Sequence, residues 1–181
     1  MSDGRTDAEI IASILDGDTD QFGILVDRYG DEFARYATYM VGNRDDAADI
    51  IQDSLVRAFR HLRRCHDPAR FKGWFFRIVS NQCKTHLKRR RRPMKPLDEV
   101  MELPAADDPA FDAEAREIDH RVRDALHSLP QDQREAFVLK YIEGLTIPEI
   151  AQAISASEAA LKMRLMRARR ALLAKLDGVA L

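Results

Sequence analysis

The sequence predicts an all-α fold of two small helical domains joined by a flexible acidic linker. Apolar residues recur at helical spacing along most of the chain, no stretch alternates as a strand does, and an acidic, proline-punctuated segment interrupts the pattern. The expected boundaries are residues 1–95 for the first domain, 96–115 for the linker and 116–181 for the second domain. A chain of 181 residues has room for one domain or two small ones.

The first domain is predicted to contain four helices, of which the first three are amphipathic. Asp7 can cap a short helix, and a longer one runs from Thr19 to Val41, where Gly30 indicates a break or a close contact. A third runs from about Asp45 to Leu62. Acidic residues fill its first half and arginines its second, which suits the dipole of a helix.

The fourth helix combines aromatic residues with a cationic end. It carries Trp74 among apolar neighbours and continues through Lys84 and Lys88 into four consecutive arginines before Pro93. Proteins that bind single-stranded DNA pair stacking aromatic rings with cations that contact phosphates. The helical spacing of the aromatic residues fits a buried core equally well, so both interpretations of Trp74 stay open.

The linker is defined by its composition. Between Lys95 and Arg116 there are seven acidic residues and no basic one, with Pro104 and Pro109 inside the stretch. So few apolar residues cannot form a core, and the segment is predicted to be flexible.

The second domain ends in a predicted helix-turn-helix. Thr146 and Glu149 have the spacing of a capping box, and Ser157 can cap the next helix after a three-residue turn. That helix has an apolar stripe of leucines and an alanine, and no acid occurs between Glu158 and Asp177. Opposite the stripe lie Lys162, Met163, Met166, Arg167 and Arg170. A helix of this kind suits the major groove of DNA, although many basic helices are only solvated surfaces.

Bulk composition excludes several classes of protein. The formal net charge is −1, so the chain as a whole is not attracted to nucleic acid, and its charges are sorted along the sequence instead. Cys65 and Cys83 lie in separate segments without metal-ligand spacing, which argues against zinc and disulfides and is consistent with a reducing cytoplasm. There is no apolar signal core and no run long enough to span a membrane. We therefore expect no cofactor, no metal and no membrane insertion.

Three segments, taken together, carry a resemblance to a known family. Residues 127–173 contain LPxxxR, an EGLT-type turn, EIA and an RLxRAR signature; residues 46–62 and 71–92 precede them, the latter with FxxWxxRI and a basic end. Residues 46–62 resemble region 2.2, residues 71–92 resemble regions 2.3 and 2.4, and residues 127–173 resemble region 4 of the extracytoplasmic-function (group 4) sigma factors of the bacterial sigma-70 family. The first domain is then a region-2-like helical bundle and the second a region-4-like helix-turn-helix domain.

The resemblance implies a function in transcription initiation. Members of this family bind core RNA polymerase, recognise promoter DNA and open it, and they have no catalytic chemistry of their own. The first domain reads and melts the −10 element, and the second reads the −35 element. The family also implies a cytoplasmic location and an anti-sigma factor as a further partner.

Residue-by-residue matches assign three groups of positions. The −35 face corresponds to Lys162, Met163, Met166 and Arg167, which is also the face given by periodicity. For the −10 element, Asn81 matches a position that lines the pocket for a flipped base, and Cys65 matches a loop position that contacts this base. Trp74, Lys84 and Lys88 join this set through the aromatic and cationic pattern. The surface that docks on the clamp coiled coil of the polymerase corresponds to Asp49, Gln52 and Asp53.

The chain departs from the family pattern at a few positions in or near these groups. Ser155 stands at the turn where the family often has Gly, and Ala159 and Ala160 replace a common Gly-Thr pair. Met163 stands where Ser is common, and Thr85 where Asp is common. Two methionines on the recognition face favour apolar contacts, for example with the methyl group of thymine.

Two alternative functions were weighed against this interpretation. A stand-alone helix-turn-helix regulator would leave the aromatic and basic helix of residues 71–92 unexplained. An enzyme acting on nucleic acid is disfavoured, because the five histidines are scattered and no carboxylate cluster accompanies them at metal-ligand spacing.

Overall fold

A computed structural model describes residues 4–90 and 113–176, except the side chains of residues 113–119 and 176. All regular structure in these ranges is helical, as the sequence predicts. Four helices form the N-terminal domain: α1 (Asp7–Leu15), α2 (Phe22–Val41), α3 (Arg44–Arg60) and α4 (Phe71–Arg90). Four more form the C-terminal domain: α5 (Ala113–His127), α6 (Gln131–Phe137), α7 (Ile147–Ile154) and α8 (Glu158–Leu176). Residues 91–112, which hold most of the predicted linker, lie outside the described ranges.

The start of α1 differs from the prediction by one residue. Thr6 is the N-cap and forms a capping box with Glu9, whereas Asp7 is the first helical residue. The Asp7 carboxylate instead accepts hydrogen bonds from Arg28 and from the Tyr29 hydroxyl, the latter at 2.7 Å. Burial, followed by the bond to Asp7, raises the pKa of Tyr29 to about 12. Asp7 therefore ties α1 to α2 and does not cap its own helix.

The junction between α2 and α3 is set by a glycine and an asparagine. Gly42 adopts a left-handed conformation with φ of 83° and ends α2. Asn43 caps α3 through its side-chain oxygen, which accepts from the backbone N–H groups of Asp45 and Asp46. Gly30 causes no break, because α2 continues through it.

The core of the N-terminal domain is aromatic and centred on α4. Phe33 packs on Phe75 and Phe76 with ring centroids 4.2 and 4.8 Å apart, and Phe71 stacks on Phe75 at 5.9 Å. All four rings are buried. The preceding loop contains two 3-10 turns, Leu62–Arg64 and Pro68–Arg70. One face of α4 is thereby fixed inside the domain while its basic end reaches the surface.

The helix-turn-helix forms as the sequence predicts. Thr146 and Glu149 make both bonds of the capping box, and the Ser157 hydroxyl accepts from the backbone N–H of Ala160 at 3.2 Å. The leucines at 161, 165 and 172 and Ala168 are buried. Before α7, the chain passes through a π-helical turn, Val138–Ile142, which directly continues α6.

The two domains are packed against each other along α4. α4 contacts α2 and α3 of its own domain and α7 of the other, and α2 contacts α5 and α6. The buried apolar residues of the two domains form one continuous core. In the free chain the two domains are therefore in contact, an arrangement called the closed form below. The sequence pattern did not predict this contact.

The turn of the helix-turn-helix provides a stability prediction. Ser155 has φ of 53°, so a non-glycine residue occupies the left-handed region at the end of α7. Because glycine adopts this conformation without steric cost, Ser155→Gly should raise the free energy of unfolding by up to about 1 kcal/mol in urea titrations. As a matched control, Ser157→Gly should lower it by a few tenths of a kcal/mol, since the cap of α8 is lost. Destabilisation by Ser155→Gly would contradict the strain assigned to this turn.

Candidate nucleic-acid interface

The outer face of α8 is exposed, cationic and apolar at once. Lys162 and Arg167 are exposed, and Met163 and Met166 are 45% and 57% exposed, which is high for methionine. The other side of the same helix is buried. All four residues predicted to form the −35 face therefore lie together on the surface of the second helix of the helix-turn-helix.

An open groove of about 660 Å³ continues this face toward the end of α8. Tyr141, Met166 and Leu173 supply apolar side chains, and Arg169 and Arg170 lie at its margin. The side chains of Tyr141 and Leu173 are each at least half exposed. Neither residue was among the predicted site residues, because a lone Tyr in one helix and a Leu in another give no joint sequence signal.

A second cationic concavity lies between α3 and α4. It has a volume of about 260 Å³ and its floor includes Trp74 and Asn81. Trp74 is half-buried and packs on Phe71 with ring centroids 5.9 Å apart, so it belongs to the edge of the core and also lines the cavity. The core interpretation of Trp74 therefore holds in part, and the stacking role on DNA stays a prediction.

Four basic residues around this cavity were not predicted: Arg57, His61, Arg64 and Arg77. Arg57, His61 and Arg64 recur at steps of four and three, and Arg77 falls between Trp74 and Asn81 at the same kind of spacing. The periodicity was readable within each helix. That the two rows face each other required the packing of α3 on α4.

Cys65 does not line this cavity. Its side chain is buried beneath the loop before α4, and its thiol lies 3.6 Å from the carbonyl oxygen of Asp67. Burial, and then the charge of Asp67, raises the pKa of the Cys65 thiol to about 11. Its neighbours in the loop, Arg64 and His66, have exposed side chains.

Cys83 is also buried, within α4. Burial, followed by the charge of Glu135, raises the pKa of its thiol to about 12. The thiolate is the reactive form, so both cysteines are unreactive thiols in this conformation at neutral pH.

The basic end of α4 is partly occupied in the closed chain. Lys88 is exposed, whereas the Lys84 ammonium lies 2.9 Å from a carboxylate oxygen of Glu135 in the other domain. Arg90 binds Asp46 of α3 at 3.1 Å.

The acidic residues of α3 form a third surface. Asp49, Gln52 and Asp53 are exposed and, together with the exposed Val56, follow the spacing of one helix face. Phe59 is also exposed, and its ring meets the edge of Phe22 at 5.3 Å. Val56 and Phe59 give this surface an apolar part that the charge pattern did not indicate.

The described residues contain neither a cluster of metal ligands nor a membrane-spanning helix. Among residues 4–90 and 113–176, no group of three or more His, Cys, Asp or Glu side chains could hold a metal ion. In that same part of the chain, no helix is both long and apolar enough to cross a bilayer.

The chain matches two models of one family. The model described as Sigma-70 region 2 matches residues 25–93, which contain most of α2 and all of α3 and α4. The model described as Sigma-70, region 4 matches residues 119–172, which contain α7 and most of α8. Together they cover more than half of the chain. A stand-alone helix-turn-helix regulator would lack the first of these regions, so that alternative does not hold.

Individual relatives agree with this assignment. The chain is 34% identical to the ECF RNA polymerase sigma factor SigM of Mycobacterium tuberculosis over 96% of this chain and 86% of that protein. It is 29% identical to the ECF RNA polymerase sigma-E factor of Haemophilus influenzae over 93% and 94% of the two chains.

Solved structures share the fold. CnrH, in complex with the cytosolic domain of CnrY, has a TM-score of 0.74 and 30% identity, covering 96% of this chain and 99% of that one. The sigma factor RpoE from Bartonella quintana, in complex with the anti-sigma factor NepR, has a TM-score of 0.70 at 23% identity, over 86% and 96% of the chains, and supports the fold alone. With both sigma regions present in order and relatives aligned along nearly the whole chain, the protein belongs to the extracytoplasmic-function sigma factors of the sigma-70 family, the RNA polymerase subunits that direct promoter recognition and DNA opening.

Proposed function

We propose that this sigma factor uses three separate surfaces for its three tasks. The outer face of α8 reads the −35 element, the cationic cavity between α3 and α4 holds the melted −10 element, and the acidic face of α3 docks on core RNA polymerase. The observation that carries this proposal is the joint exposure of Lys162, Met163, Met166 and Arg167 on the second helix of the helix-turn-helix.

The −35 face offers two kinds of contact. Lys162 and Arg167 can reach guanine edges or phosphates, and the methionines can pack on thymine methyl groups. Because no acid lies on α8 beyond Glu158, nothing on the helix repels the DNA backbone there.

The −10 surface combines stacking, hydrogen bonding and charge. Asn81 can donate to and accept from the edge of a flipped base, and Trp74 offers a ring at the cavity floor. Arg57, Arg64 and Arg77 line the same cavity and can hold the flanking phosphates, with Lys84 and Lys88 farther along α4. Extruding a base costs a few kcal/mol, which these contacts offset. Cys65 takes part through the position of its loop, since its thiol is buried.

The docking surface on α3 is acidic at one end and apolar at the other. Asp49 and Asp53 attract a basic partner and accelerate association, while Val56 and Phe59 supply area that a complex can bury. The clamp coiled coil of the polymerase is the partner that the family resemblance implies.

A negative regulator is a further expected partner. The similar structure of CnrH contains the cytosolic domain of CnrY, which supports an anti-sigma protein for this chain as well. The protein acts in the cytoplasm, where the polymerase works, and contributes binding and DNA opening without catalytic groups of its own.

Removal of cations from the −35 face should separate promoter recognition from polymerase binding. Lys162→Ala and Arg167→Ala should each reduce promoter-specific runoff transcription by about tenfold, because each removes on the order of 1–3 kcal/mol of DNA contact. Both variants should bind core polymerase with unchanged affinity. Lys175→Ala, on the same helix and also exposed, is the matched control and should retain activity.

Substitutions on the acidic face of α3 should instead lower the affinity for core polymerase. Asp49→Asn should weaken core binding, and the exposed Asp31→Asn on α2 serves as its control. If Lys162→Ala lowers core affinity as much as transcription, the assignment of the α8 face to the −35 element is wrong.

The flipped-base role of Asn81 can be tested by changing the template. Asn81→Ala should impair open-complex formation on duplex promoters several-fold, because the captured base loses its hydrogen bonds. On a template already mismatched across the −10 element, unpairing is no longer required and the defect should be smaller. Permanganate footprinting of open complexes measures both. An equal defect on the two templates would exclude this role.

A further inference from the structure

The two domains of the free chain meet at buried charged side chains. The side chains of Glu135 and Glu143, both from the C-terminal domain, are only 1% and 0% exposed. Buried carboxylates are rare unless they are paired, because their desolvation is costly. The partners of these two groups therefore determine how the domains are held.

Among the described residues, the side chains that bind the Glu135 carboxylate belong to the N-terminal domain. The Ser80 and Tyr36 hydroxyls donate to one carboxylate oxygen, Tyr36 at 3.2 Å, and the Lys84 ammonium lies 2.9 Å from the other oxygen. Burial and then the charge of Glu135 hold the pKa of Tyr36 well above its usual value, so its hydroxyl remains a donor. One carboxylate thus binds a cation and two hydroxyls, the donor types with which proteins also hold a DNA phosphate.

A second contact joins the same two domains. Arg35 of α2 donates two hydrogen bonds to Glu143, at 3.1 and 2.7 Å, in a bidentate arrangement. At the end of α2, a Cβ atom placed on Gly42 would lie 2.7 Å from the ring of His127 in the other domain. Burial and then the charge of Arg134 lower the pKa of His127 to about 4, so this ring is neutral at pH 7.

The chemistry of this interface favours reversible closure. Taking an ion pair out of water costs roughly as much as its Coulomb attraction returns, so such pairs fix an arrangement more than they stabilise it. When the domains separate, the carboxylate and the cation of each pair are hydrated again. Apolar side chains also pack across this interface, and the buried charged groups are the part of it that gains hydration on opening.

The closed chain is also too short to read a promoter with both domains. The −10 and −35 elements are separated by about 25 base pairs, or roughly 85 Å at 3.4 Å per pair. A compact chain of this length has a radius of gyration of about 16 Å, which corresponds to roughly 40 Å across. The domains must therefore separate before both elements are engaged.

We propose that Glu135 is an internal competitor of promoter DNA, whose carboxylate occupies in the free chain the place that a −10 phosphate takes on Lys84 and Ser80. The proposal rests on the −10 function proposed above for α4, and it adds a built-in restraint on that function. Closure leaves the −35 face of α8 exposed, so the restraint acts on the −10 surface.

Replacement of one atom in Glu135 tests the competition. The full-length chain is titrated by fluorescence anisotropy with a labelled single-stranded oligonucleotide carrying the non-template −10 segment of a promoter found by runoff transcription. Glu135→Gln keeps an acceptor for the hydroxyls but presents an amide donor to Lys84, and it should bind this oligonucleotide about five- to tenfold more tightly than the wild type. Its radius of gyration in solution scattering should increase.

Asp132→Asn is the matched control. Asp132 is the neighbouring acid of α6, but its partner at 3.3 Å is Arg164 of its own domain. The same change in net charge should here alter oligonucleotide affinity less than twofold. Adding Glu135→Gln to a Lys84→Ala background should give no gain, because the competed cation is absent.

A pair of glycines opens the interface without changing charge. Gly42→Ala and Gly144→Ala both place a Cβ atom at a positive φ, 83° and 70°, but only the first meets the other domain. Gly42→Ala should therefore expand the chain and tighten oligonucleotide binding, whereas Gly144→Ala should do neither. This pair keeps the test decisive if Glu135→Gln fails to fold.

The outcomes separate this proposal from the function on which it rests. If wild type binds the oligonucleotide and Asn81→Ala weakens binding, but Glu135→Gln and Gly42→Ala change neither affinity nor size, the competition is overturned and the −10 function stands. If the two variants expand the chain yet no form of the protein binds the oligonucleotide, the −10 function of α4 fails, and the competition fails with it.

Discussion

The burial of one face of α4 is the constraint on which the rest of the structure depends. Phe71, Phe75 and Phe76 pack this helix against α2 and α3. This packing fixes the rotation of the helix about its axis and therefore the direction in which its other side chains point. Asn81 and Lys88 are thereby exposed, and Trp74 lies half-buried in the same row. Aromatic packing on one side of the helix is what arranges hydrogen-bonding and cationic groups on the other, and the same rigidity gives α7 a surface to pack on.

Much of this arrangement could be predicted from the sequence because it is periodic or local. The buried stripe and exposed face of α8 follow from steps of three and four residues, and the caps at Thr146 and Ser157 follow from residue type and spacing. The first cap of the chain was assigned to Asp7 instead of Thr6, because both residue types accept the same backbone hydrogen bond and only the structure distinguishes them.

Features that depend on the meeting of distant segments could not be predicted. Arg57 and Arg77 face a common cavity only because α3 packs on α4, and the burial of Cys65 depends on how its loop folds back. Glu135 looks like one more helical acid in the sequence, yet its partners are 55 and 99 residues away. Charged residues near one another in sequence reveal local pairs, whereas pairs between domains leave no pattern in a single sequence.

The closed form also changes how the charge of the chain should be understood. The formal net charge of −1 is a sum over the cationic surfaces proposed to bind DNA and the acids that pair with some of their residues. Lys84 belongs to both descriptions, since it is a candidate phosphate contact that is neutralised from within the chain. The competition proposed for Glu135 would limit DNA binding at the −10 surface until the domains separate, while the −35 face of α8 is exposed in the closed chain.

The distance between the domains, free and on a promoter, tests this account most directly. Dyes attached through Asp31→Cys on α2 and Lys175→Cys on α8 report it by energy transfer, and both native thiols are buried and react slowly. The account predicts a separation within the roughly 40 Å of a compact chain for the free protein, and one far beyond it in the complex with core polymerase and promoter DNA. The same distance in both states, whether short or long, would contradict it.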